Sequence, residues 1–61
     1  MIAINTIKLQ GILHGNFIDI EQFCNELKID RNKFYYYVAH RQMPNHIYKK
    51  VSKKLGKEFT L

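Results

Sequence analysis

With a single cysteine, Cys24, the chain has no internal disulfide framework, and without a second cysteine the common zinc-binding arrangements are excluded as well. That usage fits a reducing cytoplasm, the compartment expected here. Long apolar runs are missing too. No stretch approaches the roughly 18 residues of a membrane span, and the N-terminus lacks the basic start and continuous apolar segment of a signal peptide. Carboxylates are scarce: there are five, and Asp19, Glu21, Glu26 and Asp30 fall in or beside one segment, where they read as caps and solvation rather than acid-base pairs. His14, His40 and His46 are scattered over ends and loops without the spacing of a metal site. Cys24 sits on an apolar stripe, as a small core residue does, and no histidine stands at motif spacing to activate it. No catalytic residue, metal, cofactor or membrane contact is therefore expected, and the chain reads as no enzyme. Its 61 residues make one domain, without repeats or low-complexity segments. A domain this small buries only about 60% of its unfolded surface, so association would help it.

What is present is charge of one sign, unevenly placed. Residues 1–30 carry Lys8 and Lys28 against four carboxylates. Residues 31–61 carry Arg31, Lys33, Arg41, Lys49, Lys50, Lys53, Lys54 and Lys57 against Glu58 alone, so eight cations oppose one acid in a chain of net charge +5. A basic half of this kind is the footprint of phosphate contact, or simply a solvated lysine face that keeps a small protein soluble.

Residues 19–39, DIEQFCNELKIDRNKFYYYVA, predict two short helices joined by a tight turn. Asp19 with Gln22 three residues on matches a capping box. Ile20, Phe23, Cys24 and Leu27 then share one face of a 3.6-residue period, leaving Glu21, Gln22, Asn25 and Glu26 outward. After Lys28, Ile29 plugs the turn and Asp30 caps a second helix beginning at Arg31. In that helix Phe34, Tyr37 and Val38 face inward, and Arg31, Asn32, Lys33, Tyr35 and Tyr36 point away.

This segment resembles the helix-turn-helix domains of phage repressors and Cro-type regulators. Counted from Ile20, the family's small fifth position, glycine ninth, aliphatic tenth and apolar fifteenth and eighteenth fall on Cys24, Lys28, Ile29, Phe34 and Tyr37. Cys24, Ile29 and Phe34 fit. Lys28 stands where the family has glycine, so a residue with a Cβ would have to make the left-handed turn, and Tyr37 is bulkier than the usual aliphatic. HRQMPN resembles the polar loop and proline that follow the recognition helix, and the similarity runs over roughly residues 17–56. It implies a mainly α, compact four-helix bundle containing a helix-turn-helix, of the lambda repressor-like type, as a single domain over residues 1–61 with possible short terminal strands.

Two segments flank the pair. Pro44 fixes the entry to a last helix over about 45–55, Asn45 can cap it, Ile47, Val51 and Leu55 form its inner stripe, and Gly56 closes it before the tail 57–61. The N-terminal segment is ambiguous. A helix is the first reading, aligning Ile4, Ile7, Gly11 and His14, broadened by Leu9, Ile12 and Leu13, and ending at His14-Gly15-Asn16. A strand over residues 1–5 would instead pair with Glu58–Leu61, where Phe59 and Leu61 alternate. Ile18, before the Asp19 cap, is placed to staple onto Phe23 or a neighbour.

The function expected is sequence-specific binding of a double-stranded DNA operator by a small transcriptional regulator, a repressor or Cro-like switch; the phage or mobile-element origin comes from the resemblance alone. Arg31, Asn32 and Tyr36 are the candidates for base contact, since arginine offers a fork to guanine, asparagine one to adenine, and tyrosine an apolar ring to a thymine methyl. Lys33, Tyr35, His40, Arg41, Gln42, Lys49, Lys53 and Lys54 are the candidates for phosphate. Tight binding would take a homodimer on a two-fold site with half-sites about 34 Å apart, through the N-terminal segment or the tail. The alternative is a protein-interaction module that modulates another regulator or a nuclease through Tyr35, Tyr36 and Tyr48. A third reading is RNA or single-strand binding by tyrosine stacking.

Overall fold

A computed structural model describes residues 1–61. The protein is mainly helical, with four helices and a short two-stranded sheet in the order β1 (Ile2–Ala3), α1 (Thr6–Gly15), α2 (Ile20–Leu27), α3 (Arg31–His40), β2 (Gln42–Met43) and α4 (Asn45–Leu55). No helix is long and apolar enough to cross a membrane.

Local side chains start three of the four helices. Asn5 accepts from Lys8 N–H at 3.0 Å, Asp19 accepts from the N–H groups of Glu21 and Gln22, and Asp30 accepts from Lys33 N–H at 3.1 Å. Two capping expectations need correction. Gln22 receives no return role: its side chain makes no bond to the Asp19 backbone, so the box is one-sided. Asn45 is the first residue of α4 rather than its cap, because Pro44 occupies the cap position, and the helix starts with no side-chain cap. Helix ends use left-handed residues at Lys28 (φ 57°), Arg41 (φ 58°) and Gly56 (φ 67°).

The N-terminal segment is a strand followed by a helix. Even-numbered and odd-numbered residues of a strand bond to opposite neighbours, and both edges of residues 2–5 are used. Ile2 pairs with Met43 and Ile4 N–H donates to Arg41 O at 3.0 Å, whereas Asn5 N–H donates to Phe59 O at 2.7 Å and Leu61 N–H to Ala3 O at 3.4 Å. The main ladder is therefore with Gln42–Met43, antiparallel, and the tail contributes an isolated bridge between Ile4 and Thr60. Because Ile4 lies in the extended part, it cannot set the phase of α1. The buried face of that helix is Leu9 and Leu13, with Ile12 beside them, while Ile7, Gly11 and His14 face out.

One core joins these elements: Ile4, Leu9, Leu13, Phe23, Cys24, Ile29, Phe34, Val38, Met43, Ile47, Val51 and Phe59. Phe23 and Phe34 meet edge to face, centroids 6.1 Å apart, and fasten α2 to α3. Phe59 is fully buried and lies 4.7 Å from the Tyr48 ring, whose hydroxyl accepts from Phe59 N–H. The tail thus packs into its own domain, and Phe59 is not free for a partner. Thr6 Oγ1 donates to Val38 O at 2.7 Å, tying the first turn of α1 to the end of α3.

Candidate nucleic-acid interface

The turn between α2 and α3 is three residues long, and each has a distinct task. Lys28 takes the left-handed conformation and its N–H bonds back to Asn25 O and Cys24 O. Ile29 is buried and closes the turn against the core. Asp30, extended at φ −63° and ψ 124°, caps α3. The turn therefore aims α3 outward with its first residues, Arg31, Asn32 and Lys33, exposed.

Phe34, Val38 and the half-buried Tyr37 anchor the inner face of α3. At about 100° per residue, the direction opposite them is occupied by Asn32 and Tyr36, with Ala39 and His40 one turn further on. Tyr36 is 59% exposed and stacks on His40 at 4.1 Å, edge to face with Tyr37 at 6.2 Å. Tyr35, 51% exposed, lies to the side against Phe34. A side-chain amide, two aromatic hydroxyls and an imidazole thus form one strip, bordered by Arg31 on one side and Lys33 on the other. Such a strip offers hydrogen-bond donors and acceptors together with flat apolar surface, which suits base edges and phosphates.

The acidic residues of α2 act on the neighbouring cations. Glu21 pairs with Arg31 at 3.3 Å and Glu26 with Lys54 at 3.4 Å. Five residues apart, the two carboxylates project about 140° from each other, one toward α3 and one toward α4. Lys54 is accordingly drawn to the α2 flank away from Arg31, where with Phe17, Ile18, Phe23 and Leu55 it lines a cleft of about 270 Å³. Lys50 is engaged as well, its ammonium donating to Leu27 O at 3.3 Å and so capping the end of α2. The candidate set on α4 therefore divides. Lys49 and Lys53 are exposed without a carboxylate partner, whereas Lys54 is paired with Glu26 across from α2.

The remaining candidates lie after α3. Arg41 ends the helix in the left-handed conformation, its carbonyl accepting from Ile4 N–H and its side chain exposed. Gln42 is exposed on β2, opposite Ala3. Strand β2 falls within HRQMPN, which reads as a polar loop; its one local signal is that the residue before a proline is pushed toward extended geometry, and Met43 precedes Pro44. The Glu21–Arg31 pair and the Lys50 cap had no sequence signal, since each joins two elements whose relative placement is tertiary.

Cys24 is fully buried, and burial pushes its thiol above the ordinary value of 9.0, with Asp30 adding to the rise and Arg31 opposing it. A thiol held neutral in this way is a poor nucleophile. No group of three or more His, Cys, Asp or Glu residues is arranged to hold a metal ion. Comparison with protein families, with curated proteins and with solved structures gives no match to this chain.

Proposed function

We propose that this protein binds double-stranded DNA in a sequence-specific way through a helix-turn-helix formed by α2, Lys28–Asp30 and α3, acting as a small transcriptional regulator of the repressor or Cro-like kind in the cytoplasm. The observation that carries the reading is the pairing of a left-handed, apolar-plugged, aspartate-capped turn with an α3 whose first residues, Arg31, Asn32 and Lys33, are all exposed. The first turn of such a helix is the part that enters a major groove. The unpaired cations Lys33, Arg41, Lys49 and Lys53 supply the attraction to phosphate. The phage or mobile-element origin rests on the resemblance of residues 17–56 to that family.

Size argues for two copies on an operator. The longest extent of the chain is 24 Å, shorter than the roughly 34 Å between half-sites on successive turns of DNA, so one chain serves one half-site. With Phe59 buried, the apolar surface left for self-association includes Ile7, 79% exposed, and Leu61, 80% exposed, which line a common shallow cleft with Ile4, Asn5, Thr6 and Arg41.

Fluorescence anisotropy on labelled duplexes at several salt concentrations tests the reading. Binding should weaken steeply with salt, with a slope of about −0.9 per phosphate contacted, and unlabelled random duplex should compete poorly against a selected site. One alternative has a specific observation behind it: Tyr35 and Tyr36 are exposed in the middle of α3, where a protein interface would place its anchors. Affinity for a protein partner that barely responds to salt, with no duplex binding, would favour that module.

A further inference from the structure

We infer that the outer strip of α3 reads A·T base pairs through Asn32 and its apolar neighbours, and that Glu21 adds to this preference by holding Arg31 away from guanine. The inference rests on the duplex-binding reading and goes past it, naming the base composition of the half-site and the residue that limits it.

The chemistry comes from what occupies the centre of the strip. Asn32, in the first turn, carries one amide donor and one acceptor, which match the N7 acceptor and N6 donor of adenine. One turn on, Tyr36 presents a ring held in place by its stack on His40 at 4.1 Å, and Ala39 presents a methyl group. Apolar groups at that depth meet the C5 methyl of thymine, the other half of the same kind of base pair. Guanine needs two donors aimed at O6 and N7, which arginine or lysine supplies. After Lys33, α3 contains no further lysine or arginine. Its two cations lie on the flanks of the strip, and Arg31 is bonded to Glu21 at 3.3 Å.

Both partners of that pair are about half exposed or more, at 52% and 66% of their side-chain surface, so the restraint is modest. An exposed pair biases an equilibrium by about 1.5- to 5-fold. The adenine fork of Asn32 carries the larger share, about 5- to 150-fold per base pair discriminated. Glu21 therefore acts as a positioning residue: without touching DNA, it lowers the fraction of molecules whose guanidinium is free to take a guanine.

The test is selection of binding sites from a random duplex library, followed by anisotropy on duplexes differing only in an A·T or G·C core. Wild type should enrich A·T cores. Asn32→Ala should flatten that preference, and Glu21→Gln should move it toward G·C by about 1.5- to 5-fold. Arg31→Ala combined with Glu21→Gln should show no such move, which separates release of Arg31 from the mere loss of a negative charge. All three positions changed are exposed, and circular dichroism checks the fold of each variant. Enrichment of G·C cores, salt-sensitive duplex binding without base preference, or a Glu21→Gln shift that survives the loss of Arg31 would each overturn the inference while leaving duplex binding in place. Failure to enrich any duplex, with no salt-sensitive binding, would remove the duplex-binding reading itself.

Discussion

Lys28 holds the turn between α2 and α3 in a conformation that favours glycine, and relieving it should stabilise the protein. At φ 57° and ψ 42° the Lys28 Cβ crowds the following carbonyl oxygen, a strain of about 1–2 kcal/mol for an L-residue. Lys28→Gly removes that strain but frees the unfolded chain, which offsets about 0.5–1 kcal/mol. The balance is a gain of about 0.5–1 kcal/mol, since the side chain is exposed and has no partner whose loss would count against it. For a domain of this size 1 kcal/mol moves the melting temperature by about 4–8 °C, so Lys28→Gly should melt about 2–8 °C higher. Lys28→Ala keeps the Cβ and should melt close to wild type. Thermal unfolding followed by far-ultraviolet circular dichroism, at one pH and ionic strength, measures both. A Lys28→Gly protein that melts lower than Lys28→Ala would refute the claim that the Cβ is the source of strain at this turn.

Phe59→Ala should cost about 3–5 kcal/mol, a large part of the total for a domain of this length, and a thermal melt should show the protein largely unfolded at room temperature or close to it. Ile7→Ser and Leu61→Ser should leave the melt unchanged and weaken binding to a two-fold site more than to an isolated half-site in gel-shift titrations; equal losses on both DNAs would place self-association elsewhere. Because the thiol of Cys24 is raised above 9.0 in the fold, its neutral form is favoured there, so the stability it contributes is complete below that pH and is lost as pH rises through the folded value. Melting temperature should accordingly fall more steeply above pH 9.0 in wild type than in Cys24→Ala, and parallel pH profiles would contradict this. Lys49→Gln and Lys53→Gln should each flatten the salt dependence of DNA binding by about one unit, whereas Lys54→Gln, whose ammonium Glu26 already holds, should not; an equal change for all three would show that the ion pair opens on DNA.

Where the deciding interactions lie within a few residues of one another, they can be read from the sequence by itself. Asp19 and Asp30 cap helices because a carboxylate next to free N–H groups needs nothing from the rest of the chain. The phase of α2 and α3 follows in the same way from Phe23, Cys24, Phe34 and Val38 recurring at helical spacing, and that phase leaves Asn32, Tyr35 and Tyr36 outside. The uneven division of charge is equally a property of the sequence. Tertiary structure decided the rest. Residues 1–13 were open between helix and strand because Ile2 and Ile4 satisfy a period of two while the residues after them satisfy a period of 3.6; the choice fell to partners at Arg41–Met43 and Phe59–Leu61, which are far along the chain. The same pairing shifted α1 onto Leu9 and Leu13 and buried Phe59 in its own domain instead of leaving it for a second copy. In the candidate interface, packing alone set which cations are free. Glu21 reaches Arg31 and Glu26 reaches Lys54 only because the tertiary fold brings α3 and the end of α4 up to α2, and no local pattern records that neighbourhood.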